Sequence, residues 1–244
     1  MAVTFSIVET RFSLYPVVIL VSFVCAVLFL NRDLKHRGVS KLNRLLFCFL
    51  SAVMAVAGSK MLTVILAIPQ PVSFLSAGMS SYGGAAGVIG AALIYEKIES
   101  AHGNFLKSAV LSLPLLYGVA KIACFVTGCC YGLPYSGPFA VTYPGRLHGT
   151  YFPVQIAETL VFVALFAVLV VLDRKKGGKG TGLRTVILCA ATKFLLDFLR
   201  FDHVQHAVTK NQVISILFLA GALIVSFISV KKRKQKKEDP SGVM

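Results

Sequence analysis

Seven apolar runs, each near the length of a membrane crossing, dominate this chain: roughly Phe12–Leu30, Leu45–Ile68, Val72–Tyr95, Ala109–Val126, Phe152–Leu172, Leu183–Leu199 and Val213–Val230. A helix needs about 20 mostly apolar residues to cross the hydrocarbon layer. In lipid every backbone polar group must be satisfied internally, which leaves only helices or closed barrels. A barrel would show alternating segments of about ten residues, and the runs here are continuous. The expectation is an all-α integral membrane protein with seven transmembrane helices. Residues 1–230 form one domain and 231–244 a polybasic cytoplasmic tail. The first run has no small-residue cleavage site after it and reads as a permanent span, not a leader. Composition agrees, since 56% of the 244 residues are hydrophobic, against about 45–50% for a soluble domain.

The net charge of +15 would suggest a nucleic-acid partner in a soluble protein, but its distribution says otherwise. Arg32, Lys35, Arg37, Lys41 and Arg44 follow the first run; Lys97 and Lys107 follow the third; Arg174, Lys175, Lys176, Lys179 and Arg184 follow the fifth. The stretch "KKRKQKK" follows the seventh. The alternate loops hold only Arg11, Arg146, Arg200 and Lys210. Cytoplasmic loops are enriched in Lys and Arg, so the N-terminus is expected outside and the C-terminus inside. The tail meets anionic headgroups, and no nucleic acid is implied.

Five ionisable residues fall within or at the edges of the apolar runs: Lys60, Lys121, Glu158, Lys193 and Asp197. Each costs about 2.5–3.5 kcal/mol at a helix centre on insertion scales, so each should face a partner or a polar cavity. On the sixth run Lys193, Asp197 and Arg200 stand at i, i+4 and i+7, one arc of a helix. On the fourth, Tyr117, Lys121 and Cys124 share a face, and on the fifth Gln155 and Glu158 are three apart. Two readings stand: buried ion pairs that fix packing, or a polar pocket that handles a charged lipid headgroup. The third run contains "GMSSYGGAAGVIG", in which Gly83, Gly87 and Ala91 form a small-xxx-small row for close helix approach. Ser80, Ser81 and Tyr82 place three hydroxyls at its start.

The segments "GMSSYGG", "KIACFVTGCCYG", "FPVQIAE", "TKFLLDFLR" and "NQVISI", in this order, resemble the prolipoprotein diacylglyceryl transferase family. The resemblance implies a bacterial inner-membrane, multi-pass enzyme with seven spans. Such an enzyme moves the diacylglyceryl group of phosphatidylglycerol onto the thiol of a lipobox cysteine in a prolipoprotein, and glycerol phosphate leaves. The partners so implied are phosphatidylglycerol or another anionic lipid and a lipobox prolipoprotein. Mapped onto this chain, the resemblance places Tyr82, Lys121, Lys193 and Glu158 in catalytic roles. It places Lys60, Ser80, Ser81, Gly128, Gly132, Gln155, Asp197 and Arg200 around the substrate.

Several positions depart from the family pattern, so the resemblance is to a divergent member. The family usually has histidine at Tyr82, arginine at Lys60, Lys121 and Lys193, asparagine at Cys124 and Thr127, an acidic residue at Cys129 and tyrosine at Cys189. Asp197 and Arg200 keep the family's residue types. Arginine grips phosphate with a bidentate fork where lysine offers a compact point charge. His148, in the loop Leu133–Tyr151, is a candidate stand-in for the missing histidine. That loop is short for the family and leaves little room for a headpiece that would guide a prolipoprotein.

The six cysteines give no metal framework by spacing. Cys124, Cys129 and Cys130 follow C-x4-C-C with no flanking His pair, and Cys25, Cys48 and Cys189 read as small apolar fillers. Neither a metal nor a cofactor is called for. Lys121 stands close enough along a helix to act on the Cys124 thiol. Two rivals to the transferase remain. One is a lipid-binding membrane protein that kept the fold and lost or changed the chemistry. The other is a thiol-disulfide protein built on the three clustered cysteines.

Overall fold

The computed structural model describes residues 11–68, 72–99, 104–143, 149–175 and 180–238, with side chains from 14 to 227 within those ranges. Its helices are α1 (Arg11–His36), α2 (Lys41–Leu66), α3 (Ser81–Glu99), α4 (Asn104–Thr127), α5 (Val154–Lys175), α6 (Thr181–Asp197), the single turn α7 (Asp202–Gln205) and α8 (Lys210–Glu238). The tail expected as a separate unit from residue 231 is a continuation of α8 as far as Glu238. No strand forms among the described residues, only isolated bridges pairing Gly132 with Arg200 and Tyr151 with both Pro134 and Val141.

Large apolar side chains cover the outside of the bundle, and inside it polar side chains join an apolar core of Leu34, Phe47, Phe105 and Leu111. Leu20, Leu28, Phe49, Leu217 and Phe227 are exposed, while Ser22, Ser108, Gln155, Glu158, Asp197 and Ser215 are buried. Apolar surface outside and polar groups inside is what a hydrocarbon solvent selects. Five helices, α1, α2, α4, α5 and α8, are long and apolar enough to cross a membrane. The other two long ones are shorter, at 19 residues for α3 and 17 for α6. The chain is an all-helical, multi-pass membrane protein.

Helix α4 is the hub, packing on α1, α3, α5 and α6. Against it, α2 and α3 pair closely through glycine. A Cβ on Gly83 would strike the Gly58 carbonyl, and one on Gly87 the Met54 carbonyl. The expected small-residue row therefore faces α2, with Ala91 fully buried one turn further on. At the end of the bundle that includes Lys35 and Lys175, Arg37 ties three helices together. Its guanidinium donates to Asp33 at 2.8 Å and to Asp173 of α5 at 2.6 Å, while Ser108 of α4 donates to Asp33.

Two expected boundaries need correction. The third apolar run was placed from Val72, but α3 begins only at Ser81. Ser80 caps it: its hydroxyl accepts from the Gly83 amide at 3.5 Å and its carbonyl from the Gly84 amide. The apolar residues before it form an irregular loop whose carbonyls are taken up by Lys60, and hydropathy cannot separate such a loop from a helix. The sixth run was carried through Leu199 with Arg200 on the same helical arc. Instead α6 ends at Asp197, and Arg200 lies beyond a turn, in the bridge to Gly132. The chain must leave the helix there because its backbone pairs with the cysteine loop, Arg200 with Gly132 and Leu133 with Leu199.

Candidate active site

At the opposite end of the bundle from Arg37, a cavity of about 320 Å³ opens among the seven long helices α1 to α6 and α8. Its body is apolar, lined by Ile19, Phe23, Ile89, Phe162 and Phe218. Its polar end gathers Lys121, Lys193, Arg200, Tyr117, Tyr82 and Ser81.

Lysines 121 and 193 sit in different electrostatic settings although α4 and α6 bring both to one cavity. Lys121 Nζ is 2.7 Å from Glu158 Oε2, and Tyr117 donates its hydroxyl to Glu158 Oε1 at 2.7 Å. Gln155 and Glu158 come from the first turns of α5, which begins just after Pro153. Glu158 is thus fully committed to α4. Lys193, by contrast, has no carboxylate within ion-pair distance among the described residues. It donates to the Ser81 hydroxyl, and its ammonium lies 4.0 Å from the Tyr82 ring centroid and 4.4 Å from that of Tyr117. Aromatic faces attract a cation and leave its charge uncancelled.

Asp197 organises the third side. It accepts from the Thr209 hydroxyl and, at 3.3 Å, from the Asn211 amide. It also stands 3.6 Å from both Arg200 and His203. That contact to Arg200 is too long for a tight pair, and the Arg200 Nε is buried without a hydrogen-bond partner among the described residues. Arg200 therefore reaches the cavity, like Lys193, with donor capacity to spare.

The remaining expected residues do other work. The Tyr82 ring supports Lys193, while its hydroxyl hydrogen-bonds Ser215 and the Asn211 carbonyl of α8. Lys60 is turned away from the cavity lining. Its Nζ donates to the carbonyls of Phe74, Leu75 and Ala77 at 3.2, 2.9 and 3.0 Å, fixing the loop ahead of α3. Ser80 caps α3 and also lines the cavity. Gln155 donates to the Cys129 carbonyl at 2.8 Å and accepts from Tyr143, holding the loop after α4. Gly128 has φ +65°, open to glycine at no cost. At Gly132 a Cβ would run into the carbonyls of Phe152 and Leu199. His148 lies outside the described residues.

The loop after α4 is compact, with Tyr131, Tyr143, Tyr151 and Phe201 packed ring on ring. All six cysteines are free thiols, and Cys124, Cys129 and Cys130 come together at the cavity edge. Thr209, Asn211 and Ser215 also belong to the site, and the sequence marked the last two only as part of "NQVISI" without a role. The signal was a polar run entering the last apolar segment, with Asn211 and Ser215 one turn apart.

The profile of the family described as prolipoprotein diacylglyceryl transferase matches residues 2–228 of this chain. Among curated relatives, the phosphatidylglycerol–prolipoprotein diacylglyceryl transferase of Clostridium tetani (strain Massachusetts / E88) is 28% identical over 205 residues, covering 77% of this chain and 80% of its own. The enzyme so named with the suffix 2 in Clostridium perfringens (strain 13 / Type A) is 26% identical, over 92% of this chain and 93% of its own. That of Francisella tularensis subsp. novicida (strain U112) is 29% identical, over 70% and 68%.

Proposed function

This chain belongs to the prolipoprotein diacylglyceryl transferase family, and on that premise we propose that it transfers the diacylglyceryl group of phosphatidylglycerol to the thiol of a lipobox cysteine in a prolipoprotein. The observation that carries the reading is the pairing of Lys193, which has no carboxylate counter-ion among the described residues, with Arg200 at one end of an otherwise apolar cavity. A phosphate with two acyl tails fits that division of chemistry.

The acyl chains lie along Ile19, Phe23, Ile89, Phe162 and Phe218, and the phosphate meets Lys193 and Arg200. The acceptor sulfur, as the thiolate after its proton has left to solvent, attacks the glyceryl carbon bonded to the phosphate ester oxygen. A C–S bond forms, the C–O bond breaks, and its electron pair goes to the phosphate oxygen, so glycerol phosphate departs. Negative charge grows on that oxygen in the transition state, where fixed cations in a dry site act most strongly. Glu158 holds Lys121 and Tyr117 in place, and Tyr117 and Tyr82 hold Lys193. Tyr82 acts through its ring, because its hydroxyl is already engaged by α8. Asp197 positions Arg200 against the loop that carries Gly132.

The seven long helices cross the bacterial inner membrane, N-terminus outside and C-terminus in the cytoplasm. The basic loops then face inward and the cavity's cationic end lies toward the outer leaflet.

The test is direct. Purified protein in phosphatidylglycerol vesicles is given a lipobox peptide, and the peptide is weighed by mass spectrometry. A diacylglyceryl increment, abolished by Cys→Ser in the peptide, is expected. An unmodified peptide with lipid still tightly bound to the protein would refute transfer and leave a lipid-binding protein.

A further inference from the structure

The C-x4-C-C spacing gave no metal framework, yet the fold gathers the three thiols. Helix α4 stops at Thr127, and Gly128 reverses the backbone at φ +65°. The Cys129 amide then returns to the Cys124 carbonyl at 3.0 Å. Cys130 follows in the left-handed region at φ +57°, uncommon for a residue with a Cβ. As a result the Sγ atoms of Cys124, Cys129 and Cys130 all lie within 4.8 Å of one another. Three sulfurs bound tetrahedrally to one ion at about 2.3 Å stand roughly 3.8 Å apart, so shifts of about an ångström close this trio on an ion.

The surroundings favour that closure. Cys124 and Cys130 line the cavity, while Cys129 stands at its edge against the Thr127 hydroxyl. Lys121, one turn before Cys124 and paired with Glu158, and Arg200 line the same cavity. Gln155 grips the Cys129 carbonyl and fixes the loop. Three sulfur ligands with a fourth position open to a substrate cavity are the pattern of a reactive zinc site, not a closed structural one. Soft thiolate donors select zinc-class ions over magnesium or calcium.

We propose that Cys124, Cys129 and Cys130 form a three-thiolate site for zinc, whose open position binds and activates the acceptor cysteine thiol. This rests on the transfer reading above and supplies what that reading lacks, a group that promotes loss of the acceptor's proton. A thiol coordinated to such an ion gives up its proton outright, here to solvent. The metal-bound sulfur then donates its electron pair to the glyceryl carbon as the C–O bond breaks toward phosphate. The thioether product carries no charge and leaves the ion readily. No electron is gained or lost from outside.

The probe is cobalt(II), added anaerobically to the reduced full-length protein in phosphatidylglycerol nanodiscs. One equivalent should bind with the visible absorption of a tetrahedral thiolate site. Its sulfur-to-cobalt charge-transfer band should strengthen when a lipobox peptide is added and not when the Cys→Ser peptide is. Cys124→Ser, Cys129→Ser and Cys130→Ser should each abolish the spectrum while melting like the parent, and Cys25→Ser should retain it. Stripping the ion should slow transfer about 100-fold, the lower end of what a positioned proton acceptor contributes, with zinc restoring it. Failure of the reduced protein to bind cobalt or zinc, with the peptide still lipidated, overturns the metal site and leaves the transferase standing. Binding that survives all three substitutions overturns it as well. Cobalt binding with the peptide-dependent spectral change, but no lipidation in any metal form, supports the site and overturns transfer.

Discussion

Replacing Glu158 by glutamine strips the charge from a carboxylate that is 1% exposed and leaves Lys121, 6% exposed, facing an amide. In the parent the two are 2.7 Å apart. Removing one member of a buried pair costs about 3–5 kcal/mol, because the survivor is charged and has neither water nor a partner. At about 1.4 kcal/mol per factor of ten, that is roughly a 100- to 4,000-fold shift in the folding constant. Glutamine can still accept from Tyr117, so the loss isolates the ion pair. The double replacement Lys121→Met with Glu158→Leu removes both charges and fills similar volumes. Such exchanges run from neutral to about 1–4 kcal/mol stabilising, so the double variant should recover much of the lost stability. Reversible unfolding in mixed micelles, followed by helical signal, reads the parent and both variants. Transfer measured on the same samples separates fold from chemistry. The double variant should fall short of the parent only by the about 1–3 kcal/mol of a Tyr117 hydroxyl left without an acceptor, and should still transfer poorly, because Tyr117 has lost the carboxylate that holds it against Lys193. A Glu158→Gln protein as stable as the parent, or a double variant no better than the single, would refute the argument.

Three further outcomes follow from named contacts. Lys193→Met should lower transfer about 100- to 1,000-fold, the loss typical of one oxyanion-stabilising group, with an unchanged melting curve because no carboxylate is left unpaired; transfer kinetics and melting together check it. Gly87→Ala should destabilise by about 1–3 kcal/mol through overpacking against the Met54 carbonyl, whereas Gly90→Ala, with nothing within 4 Å of the added carbon, should gain up to about 1 kcal/mol of helix propensity; parallel melts compare them. Arg37→Ala should lower stability by leaving Asp33 and Asp173 unpaired, and the surviving folded fraction should transfer at the parent rate, since Arg37 lies at the far end from the cavity.

The membrane class and helical content were legible because hydrocarbon imposes one rule on every residue it touches, and five of the helices are long and apolar enough to obey it end to end. The interior was less legible, because sequence gives spacing and not the fold of irregular backbone. Spacing did put Lys193 and Asp197 on one face of α6, and Gln155 and Glu158 at the start of α5. It misplaced Arg200, whose position depends on a backbone pairing with Gly132 that is distant in sequence. It offered Lys60 as a lipid cation, since nothing local reveals the three carbonyls from the next loop that occupy it. The basic residues after α1 were legible as topology signals only. That Arg37 also bridges α1 to α5 comes from Asp173, far along the chain. The thiol trio depends on two left-handed residues in a row of three, a turn that no spacing rule encodes.

The oily exterior of the bundle has a consequence for how such chains change over generations. Outward residues such as Leu20, Phe49 and Leu217 are exposed and in a bilayer face acyl chains, so one oily side chain should serve as well as another there. Residues on α4 have no such latitude, because that helix is enclosed by α1, α3, α5 and α6 and carries Tyr117, Lys121 and Cys124 on one face. Mutational tolerance should therefore be sorted by which solvent a position faces. A saturation library would show α4 as the most intolerant helix and the outer face of α8 as the most permissive.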